Sequence, residues 1–314
     1  MEVKTPKTLR EAITYFSEPA NCVTYMSSKR WPDGVTCPTC GSKKVTYDAK
    51  TYRWQCSSHH AKRKFSLKTG TVLEDSPLGL DKWLPVVWLV TNCKNGVSSW
   101  EIHRAMGVTQ KTAWFMLQRA RLALQGKNGG KLSGEIEADE SFIGGKARNM
   151  HAHKRAEKIH GRGPDGKAIV AAVLERGGEI RAQVMETRKK KDLQKLVRDN
   201  VEAGSSIYTD ALKSYEGLDE FTHQVVDHAE TYVNGQIHTN GCENFWSLLK
   251  RGLKGTYVSV EPFHLHRYID EQAFRYNNRK DMDDAERFDL AVSQIVGKRL
   301  TYKELTGHQN DEPF

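Results

Sequence analysis

Three carboxylates between residues 139 and 243 fall where they could hold divalent metal ions. Asp139 lies in GEIEADESFI, where apolar and acidic residues alternate as in a strand, and Asp210 ends the strand SSIYTD. Glu243 lies on a predicted helix, with Lys250 seven residues later on the same face. Two Mg²⁺ or Mn²⁺ ions bridging a phosphate need hard oxygen ligands from separate elements. The three acids therefore predict a site for phosphodiester chemistry, with Lys250 as a phosphate contact.

Each of these acids also has an ordinary structural explanation. Glu243 could close a capping box on Asn240, and Asp210 could cap a helix formed by ALKSYEGL. Asp139 could pair with a lysine on an exposed strand. The occurrence of all three acids, in this order and on these kinds of element, favours the metal site.

A second constellation, near the N-terminus, has the spacing of a structural zinc site. The motif CPTCG supplies two thiolates, and sixteen positions later a third cysteine is followed by a histidine three residues further on. The predicted ligands are Cys37, Cys40, Cys56 and His59. A ribbon this small has little core, so it needs a tetrahedral metal ion for stability. His60 could replace His59, Cys22 is an outside candidate, and unrelated buried cysteines are the alternative.

Basic residues surround this ribbon. Residues 1–70 contain 13 Lys and Arg against 5 Asp and Glu, so +8 of the net charge of +9 lies there. A compact positive module suggests a unit that binds a polyanion, with a merely solubilising charge as the alternative. The predicted phosphate contacts are Lys43, Lys44, Arg53, Lys62, Arg63 and Lys64.

The next segment has the pattern of a DNA-reading helix-turn-helix. Ser98 and Glu101 fit a capping box at the start of a short helix. That helix ends at Gly107, and Thr109 can cap the next one. A polar opening of the second helix is typical of a helix that enters the major groove. The predicted DNA contacts are Gln110, Lys111 and Thr112. A plain three-helix packing unit is the alternative.

The elements that must position the three acids follow a glycine-rich stretch, GKNGGKLS. A meander of three strands and then alternating helices and strands predict a ribonuclease-H-like α/β catalytic domain with a mixed five-stranded sheet. A zinc ribbon and an all-α helix-turn-helix precede it. The predicted segments are 1–75 for the N-terminal helix and ribbon, 76–127 for the helix-turn-helix, 128–133 for the linker, 134–282 for the catalytic domain and 283–314 for a tail.

A basic loop interrupts the predicted catalytic domain. Residues 146–167 contain 7 Lys and Arg against 2 Asp and Glu, and Gly144 and Gly145 precede them. The glycines could form a hinge that closes the loop over a nucleic acid. An ordinary mobile surface loop is an equal alternative.

Several classes of protein are excluded by features that the chain lacks. The N-terminus has no apolar signal stretch, and the longest apolar run, 84–90, is far below the roughly 20 residues that span a bilayer. We therefore expect an intracellular protein without membrane contact, in which cysteines serve as metal ligands or core residues. Neither a P-loop nor a GxGxxG motif is present, so no nucleotide cofactor is expected.

Four longer motifs carry a family resemblance: EADESFIGGK, IYTDALKSY, HTNGCENFWSLLKRGLKGTY and EQAFRYNNR. With the CPTCGS ribbon, they resemble the insertion-sequence transposases of the family numbered 1595, also called ISXO-two-like and related to Merlin elements. The resemblance implies a catalytic triad of Asp139, Asp210 and Glu243, with 32 residues between the second and third acids. It also places Lys250 in the basic position that follows the third acid.

Two positions stay open within this resemblance. Some members of the family are described with Asn as the third residue, and Asn240 would fill that place. Glu243 is favoured because a carboxylate is the stronger Mg²⁺ ligand and because only Glu243 has Lys250 at the right helical interval. His59 stands where a four-cysteine ribbon has its last cysteine, which leaves the identity of the fourth zinc ligand open.

The resemblance implies a transposase that binds terminal inverted repeats, frees 3′ ends by metal-dependent hydrolysis and joins them to target DNA. The implied cofactors are two Mg²⁺ or Mn²⁺ ions and one structural Zn²⁺. Synapsis of two ends implies a homodimer or a larger assembly, in the cytoplasm of a bacterium and associated with its nucleoid. The alternatives are a non-catalytic, domesticated DNA-binding regulator and a ribonuclease-H-like nuclease that cuts without joining.

Overall fold

The computed structural model of the chain describes residues 5–126, 129–145, 147–159, 165–210, 212–226 and 238–307. The chain divides into two compact units, which we describe separately. The first comprises Met1–Gly126 and Asn278–Phe314, and the second comprises Lys127–Asn277. The first boundary falls in the glycine-rich stretch that the sequence marks as a linker.

The first unit combines a small antiparallel sheet with helices from both ends of the chain. Its strands are β1 (Val45–Asp48), β2 (Arg53–Cys56) and β3 (Lys64–Phe65), which pair in that order. Its helices are α1 (Leu9–Phe16), α2 (Pro19–Arg30), α3 (Leu80–Asn92), α4 (Ser99–Met106), α5 (Gln110–Leu124), α10 (Asp284–Ser293) and α11 (Tyr302–Thr306).

An aromatic cluster ties the C-terminal helix α10 to the N-terminal helices. Phe288 is fully buried, and its ring centre lies 5.8 Å from that of Phe16, 5.6 Å from that of Tyr25 and 5.1 Å from that of Trp88. Such contacts stabilise a core beyond the burial of their area. Helix α10, in the segment 283–314 that the sequence leaves as a tail without a motif, therefore contributes to the core of the first unit.

Helices α4 and α5 are joined by the predicted turn. Ser98 and Glu101 form the expected capping box at the start of α4. Gly107 follows α4 with φ 61°, a left-handed conformation that favours glycine, and Thr109 accepts a hydrogen bond from the backbone of Thr112 at the start of α5. The two helices pack against each other.

The second unit is built on a mixed five-stranded sheet. Its strands are β4 (Glu135–Ile143), β5 (Ala168–Glu175), β6 (Ile180–Met185), β7 (Ser206–Asp210) and β8 (Thr222–Val226). Its helices are α6 (Ala152–Lys158), α7 (Lys190–Asn200), α8 (Asn240–Gly252) and α9 (Leu265–Asn277). Helix α6 lies within the segment 146–167 that the sequence predicts as a loop.

The strand order is β6-β5-β4-β7-β8. Strands β4, β5 and β6 form an antiparallel meander, while β7 pairs in parallel with β4 and with β8. This mixed sheet with its helices fits the predicted ribonuclease-H-like arrangement. The central strand β4 is the element that both halves of the sheet share.

Both faces of the sheet are covered by apolar side chains. On one face, alternate residues of β4 and β5 pack with helix α7 through Leu193 and Val197. On the other face, Val170 and Ala172 of β5 pack with helix α8 through Phe245 and with α9. Charged groups on β4 are therefore placed in poorly solvated surroundings.

Across the part of the chain that the structure describes, none of the helices is both long enough and apolar enough to span a membrane.

Candidate active site and zinc centre

The predicted acids of β4 and β7 meet at the end of the central strand pair. Because Ala138 lies opposite Thr209 in the parallel pairing, the next position on each strand brings Asp139 beside Asp210. One carboxylate oxygen from each of Asp139, Glu140 and Asp210 lies within 4.8 Å of the others. The structure thus brings together two of the three predicted acids and adds Glu140.

These carboxyl groups are poorly solvated and repel one another. Burial raises the pKa of Asp139 to about 6, and the charge of Asp210 adds to the rise. Burial raises the pKa of Glu140 to about 7, again with a contribution from Asp210. Trp246 Nε1 compensates in part by donating a hydrogen bond to Asp139 Oδ2 at 2.9 Å. A divalent cation would remove the repulsion and accept hard oxygen ligands, so these residues fit a metal ion.

Two further side chains hold Glu140. Tyr215 Oη donates to Glu140 Oε2 at 3.3 Å, and an Arg188 nitrogen lies 3.4 Å from Glu140 Oε1. The sequence reading missed Glu140 because strict alternation puts it on the face opposite to Asp139. Glu140 directly follows Asp139, at the point where the pairing with β7 ends, and this position could have identified it as a candidate.

Helix α8 brings the third predicted acid and its lysine to the same region. Trp246, three residues after Glu243, carries the hydrogen bond to Asp139, so α8 lies against β4. The charge of Glu243 contributes to the raised pKa of Asp139, although its carboxylate is not among the three that lie within 4.8 Å. Burial and then the charge of Lys254 lower the pKa of Lys250, against an opposing effect of Asp139.

The structure contradicts the alternative explanations of Glu243 and Asp210 as helix-capping residues. Helix α8 begins at Asn240 and has Thr239 as its N-cap, so Asn240 is not the N-cap that a capping box with Glu243 requires. Asp210 Oδ1 accepts a hydrogen bond from the backbone of Leu212 at 3.1 Å, but only a 3-10 turn at Lys213–Tyr215 follows. The helix over ALKSYEGL that this alternative requires is therefore absent from residues 212–218; residue 211 lies outside the described residues.

The N-terminal ribbon gathers four metal-ligating side chains. They are Cys37, Cys40, Cys56 and His60, whose ligand atoms all lie within 4.8 Å of one another. The sulfurs of Cys40 and Cys56 are 3.6 Å apart, and Cys37 Sγ lies 3.5 Å from His60 Nε2. Tetrahedral zinc with bonds of about 2.0–2.3 Å separates its ligands by about 3.5–3.8 Å. The four residues therefore fit one Zn²⁺ ion.

The fourth ligand corrects the preferred prediction. His59 is exposed and lies outside the cluster, whereas the half-buried His60 faces the cysteines. The chain after Cys56 is fixed by Ser57, whose backbone donates to Lys44 O at 2.9 Å. The bend that follows turns the second histidine inward, as the alternative had allowed. Cys22 is buried in α2 and donates to Phe16 O, so it is not a ligand.

The basic residues around the ribbon fall into two groups. Arg63 is half-buried and donates from Nε to Cys56 O at 3.0 Å, which gives it a structural role in the ribbon. The exposed members are Lys43, Lys44, Arg53, Lys62 and Lys64.

The three predicted residues of α5 all have partners within their own unit. Gln110 Nε2 donates to Ser99 Oγ of α4 at 2.8 Å, and Thr112 Oγ1 lies 2.8 Å from the hydroxyl of its N-cap Thr109. Lys111 Nζ lies 4.9 Å from the ring centre of Tyr302. Lys111 is the exposed member of the three.

Two regions of the chain match known protein families. Residues 131–277 match the ISXO2-like transposase domain, and residues 18–60 match the transposase zinc-ribbon domain. A relative from Halobacterium salinarum, described as an uncharacterized protein in transposable element ISH50, is 30% identical over 252 residues, which are 76% of this chain and 84% of that protein. An uncharacterized transposase-like protein of Haemophilus influenzae is 33% identical over 85 residues, which are 26% of this chain and 68% of that protein.

A mixed five-stranded sheet with acidic residues clustered on two adjacent parallel strands, preceded by a zinc ribbon, is the combination expected of a DDE-type transposase. The two domain matches, and the large share of both chains that the match to the ISH50 relative covers, make the assignment specific. The chain belongs to the ISXO2-like transposase family.

Proposed function

We propose that this protein binds the terminal inverted repeats of an insertion sequence and catalyses metal-dependent cleavage and strand transfer of its ends. The observation that carries the proposal is the meeting of Asp139 and Asp210 where the parallel pairing of β4 and β7 ends, with helix α8 docked beside them through Trp246. Glu243 and Lys250 project from that helix.

In the proposed reaction, Asp139, Asp210 and Glu243 would hold a pair of Mg²⁺ or Mn²⁺ ions. When bound, such a pair activates a water or a 3′ hydroxyl and stabilises the leaving oxygen. Lys250 contacts the DNA backbone beside the cut. Glu140 is already engaged by Tyr215 and Arg188, so we assign it a supporting role.

The N-terminal half supplies the DNA recognition in this proposal. One zinc ion bound by Cys37, Cys40, Cys56 and His60 shapes the ribbon, whose exposed lysines and arginine contact phosphates. Helices α4 and α5 read the inverted repeat, with Lys111 as the most accessible of the predicted contacts. Joining of two ends to one target requires at least a dimer in the synaptic complex.

A strand-transfer assay tests this function. Purified protein is incubated with a labelled duplex of its own element end and a plasmid target, in Mg²⁺ or Mn²⁺. We expect joined products, their loss in Asp210→Asn, and a decrease of at least about 100-fold in Glu243→Gln because a metal ligand contributes several kcal/mol to the transition state. Glu140→Gln is the matched control and should retain more activity than Glu243→Gln.

Two outcomes would replace the proposal. Binding of the end duplex without cutting or joining in either metal would indicate a DNA-binding regulator. Cutting without joining would indicate a nuclease.

A further inference from the structure

Glu137 of strand β4 is a buried carboxylate that the proposed reaction does not use. It lies two residues before Asp139, and only 1% of it is exposed. Its Oε2 accepts hydrogen bonds from the backbone of Gly241 at 2.7 Å and of Cys242 at 3.1 Å. Both donors lie in the first turn of helix α8, where backbone N–H groups have no partner within the helix. Glu137 therefore binds the start of α8 to the central strand.

The other carboxylate oxygen of Glu137 contacts two residues that precede α8 in the chain. Glu137 Oε1 lies 3.0 Å from Arg176 Nε and 3.2 Å from His238 Nδ1. Arg176 also donates to His238 O at 2.8 Å, and its guanidinium carbon lies 4.1 Å from the ring centre of Tyr208. A buried carboxylate with an arginine and backbone donors is a strongly held group, because removing one partner leaves the others unpaired.

The fit between Glu137 and α8 depends on a glycine. A Cβ added to Gly241 would lie 2.8 Å from Glu137 Oε2 and 2.9 Å from Leu174 Cδ2. Any side chain at this position would push the helix away from the sheet. The close approach therefore requires glycine, although its φ is not in the left-handed region.

The anchor acts on the part of α8 that carries the third acid. Glu243 lies two residues after Gly241, and Trp246, one turn further along, binds Asp139. Helix α8 is thus attached to β4 at two points, Glu137 and Asp139, which lie on the same face of the strand. The segment between these two attachments contains Glu243.

We propose that Glu137 is a positioning residue that fixes the N-terminus of α8 and thereby sets the distance of Glu243 from Asp139 and Asp210. This inference rests on the proposed function, because it assumes that Glu243 is a metal ligand. Glu137 itself contacts neither metal nor DNA. Its contribution is to hold the third ligand in place before the metal ions bind.

The test compares Glu137→Gln with Glu135→Gln in the full-length protein. Glu135 lies two residues earlier on the same strand and also approaches Arg176, at 3.6 Å, but its carboxylate accepts a hydrogen bond from the hydroxyl of Tyr208 and not from α8. Two readouts are independent of DNA cleavage. One is alkylation of the fully buried Cys242 by iodoacetamide, followed by mass spectrometry of its peptide. The other is the Mn²⁺ concentration that gives half of the maximal rise in Tm.

We expect Glu137→Gln to increase both the alkylation rate of Cys242 and the Mn²⁺ midpoint by at least about tenfold, because an amide, with one accepting oxygen, cannot accept the hydrogen bonds of Arg176, Gly241 and Cys242 together. Glu135→Gln should match the wild type. Gly241→Ala, which leaves Glu137 in place, should reproduce both changes and replaces Glu137→Gln if that variant does not fold.

Any other combination contradicts the proposal. Faster alkylation of Cys242 in Glu137→Gln without a change in the Mn²⁺ midpoint would make Glu137 a purely structural anchor. A changed Mn²⁺ midpoint with Cys242 still protected would indicate an electrostatic effect that does not act through the position of the helix. Glu243→Gln separates this result from the proposed function. If it leaves the Mn²⁺ midpoint unchanged, the metal-site assignment fails, while alkylation of Cys242 still reports whether Glu137 anchors α8.

Discussion

At the scale of single residues, the candidate metal site is a group of carboxyl groups whose ionised forms are destabilised by burial and by one another. Asp139 and Glu140 have pKa values raised to about 6 and about 7, first by burial and then by the neighbouring acids. An acid whose pKa is higher in the folded than in the unfolded protein binds more protons when folded. Its contribution to stability is therefore lost as the pH rises through that interval.

The metal-free protein should accordingly be more stable near pH 5 than near pH 8. For Asp139, the rise in pKa from 3.8 to about 6 corresponds to a loss of about 3 kcal/mol in the free energy of unfolding over the whole interval, of which roughly half falls between pH 5 and pH 8. We expect Asp139→Asn to remove this part of the pH dependence and to be more stable than the wild type at pH 8. Urea unfolding at both pH values, without added Mg²⁺ or Mn²⁺, measures the difference.

Added Mn²⁺ provides the control for that experiment. It should restore the stability of the wild type at pH 8 and have little effect on Asp139→Asn. Equal pH dependence in the two proteins would show that Asp139 is solvated, or paired with a positive charge, in the metal-free protein.

At the scale of elements, the strands were the most predictable part of the molecule. Alternating apolar and acidic residues identified β4 and placed Asp139 on it, and the five-residue strand ending in Asp210 was equally clear. The register that brings the two acids together depends on pairing between distant strands, which a local pattern does not encode. The membership of Glu140 in the group, and its contacts with Tyr215 and Arg188, depend on the same tertiary pairing.

Local turns explain the errors. The choice between His59 and His60 depends on a bend after Cys56 that the ligand spacing alone does not determine. The alternative of a helix after Asp210 fails because the segment forms a short 3-10 turn, whose Tyr215 is buried in the core beside Glu140. Tertiary contacts outweighed helix propensity in this segment.

The zinc site gives a prediction at the element scale. His60→Ala should lose bound zinc, with an affinity reduced by at least about tenfold, and should weaken binding to the end duplex. His59→Ala, one residue away and exposed, should keep one zinc ion per chain. Zinc content measured by elemental analysis after gel filtration distinguishes the two. Loss of zinc in His59→Ala with retention in His60→Ala would reverse the ligand assignment.

At the scale of the whole molecule, the chain returns to its first unit after completing the second. Helices α10 and α11 both begin with capping boxes, at Asp283 with Glu286 and at Thr301 with Glu304. These local signals could have revealed the two helices in a segment that otherwise resembles a tail. The packing of α10 on α2 could not be predicted, because Asp289 binds Tyr25 and Lys29, which lie 264 and 260 positions earlier in the chain.

Phe288→Ala should therefore destabilise the first unit. Deleting a buried phenylalanine ring costs about 3–5 kcal/mol, since it leaves a cavity between Phe16, Tyr25 and Trp88. Phe263→Ala is the control, because Phe263 is 58% exposed and its loss should change stability by less than about 0.5 kcal/mol. Thermal unfolding followed by circular dichroism compares them. Equal stability of the two variants would mean that residues 283–307 do not belong to the folded core.

If Asp210 binds a catalytic metal ion, the metal that supports cleavage should depend on the ligand atom at position 210. Asp210→Cys replaces a hard oxygen ligand with a thiolate, which Mg²⁺ binds poorly and the softer Mn²⁺ tolerates better. We predict that Asp210→Cys cleaves the labelled element end in Mn²⁺ but not in Mg²⁺, whereas Asp210→Asn is inactive in both. Cleavage by Asp210→Cys at the wild-type rate in Mg²⁺ would contradict the assignment.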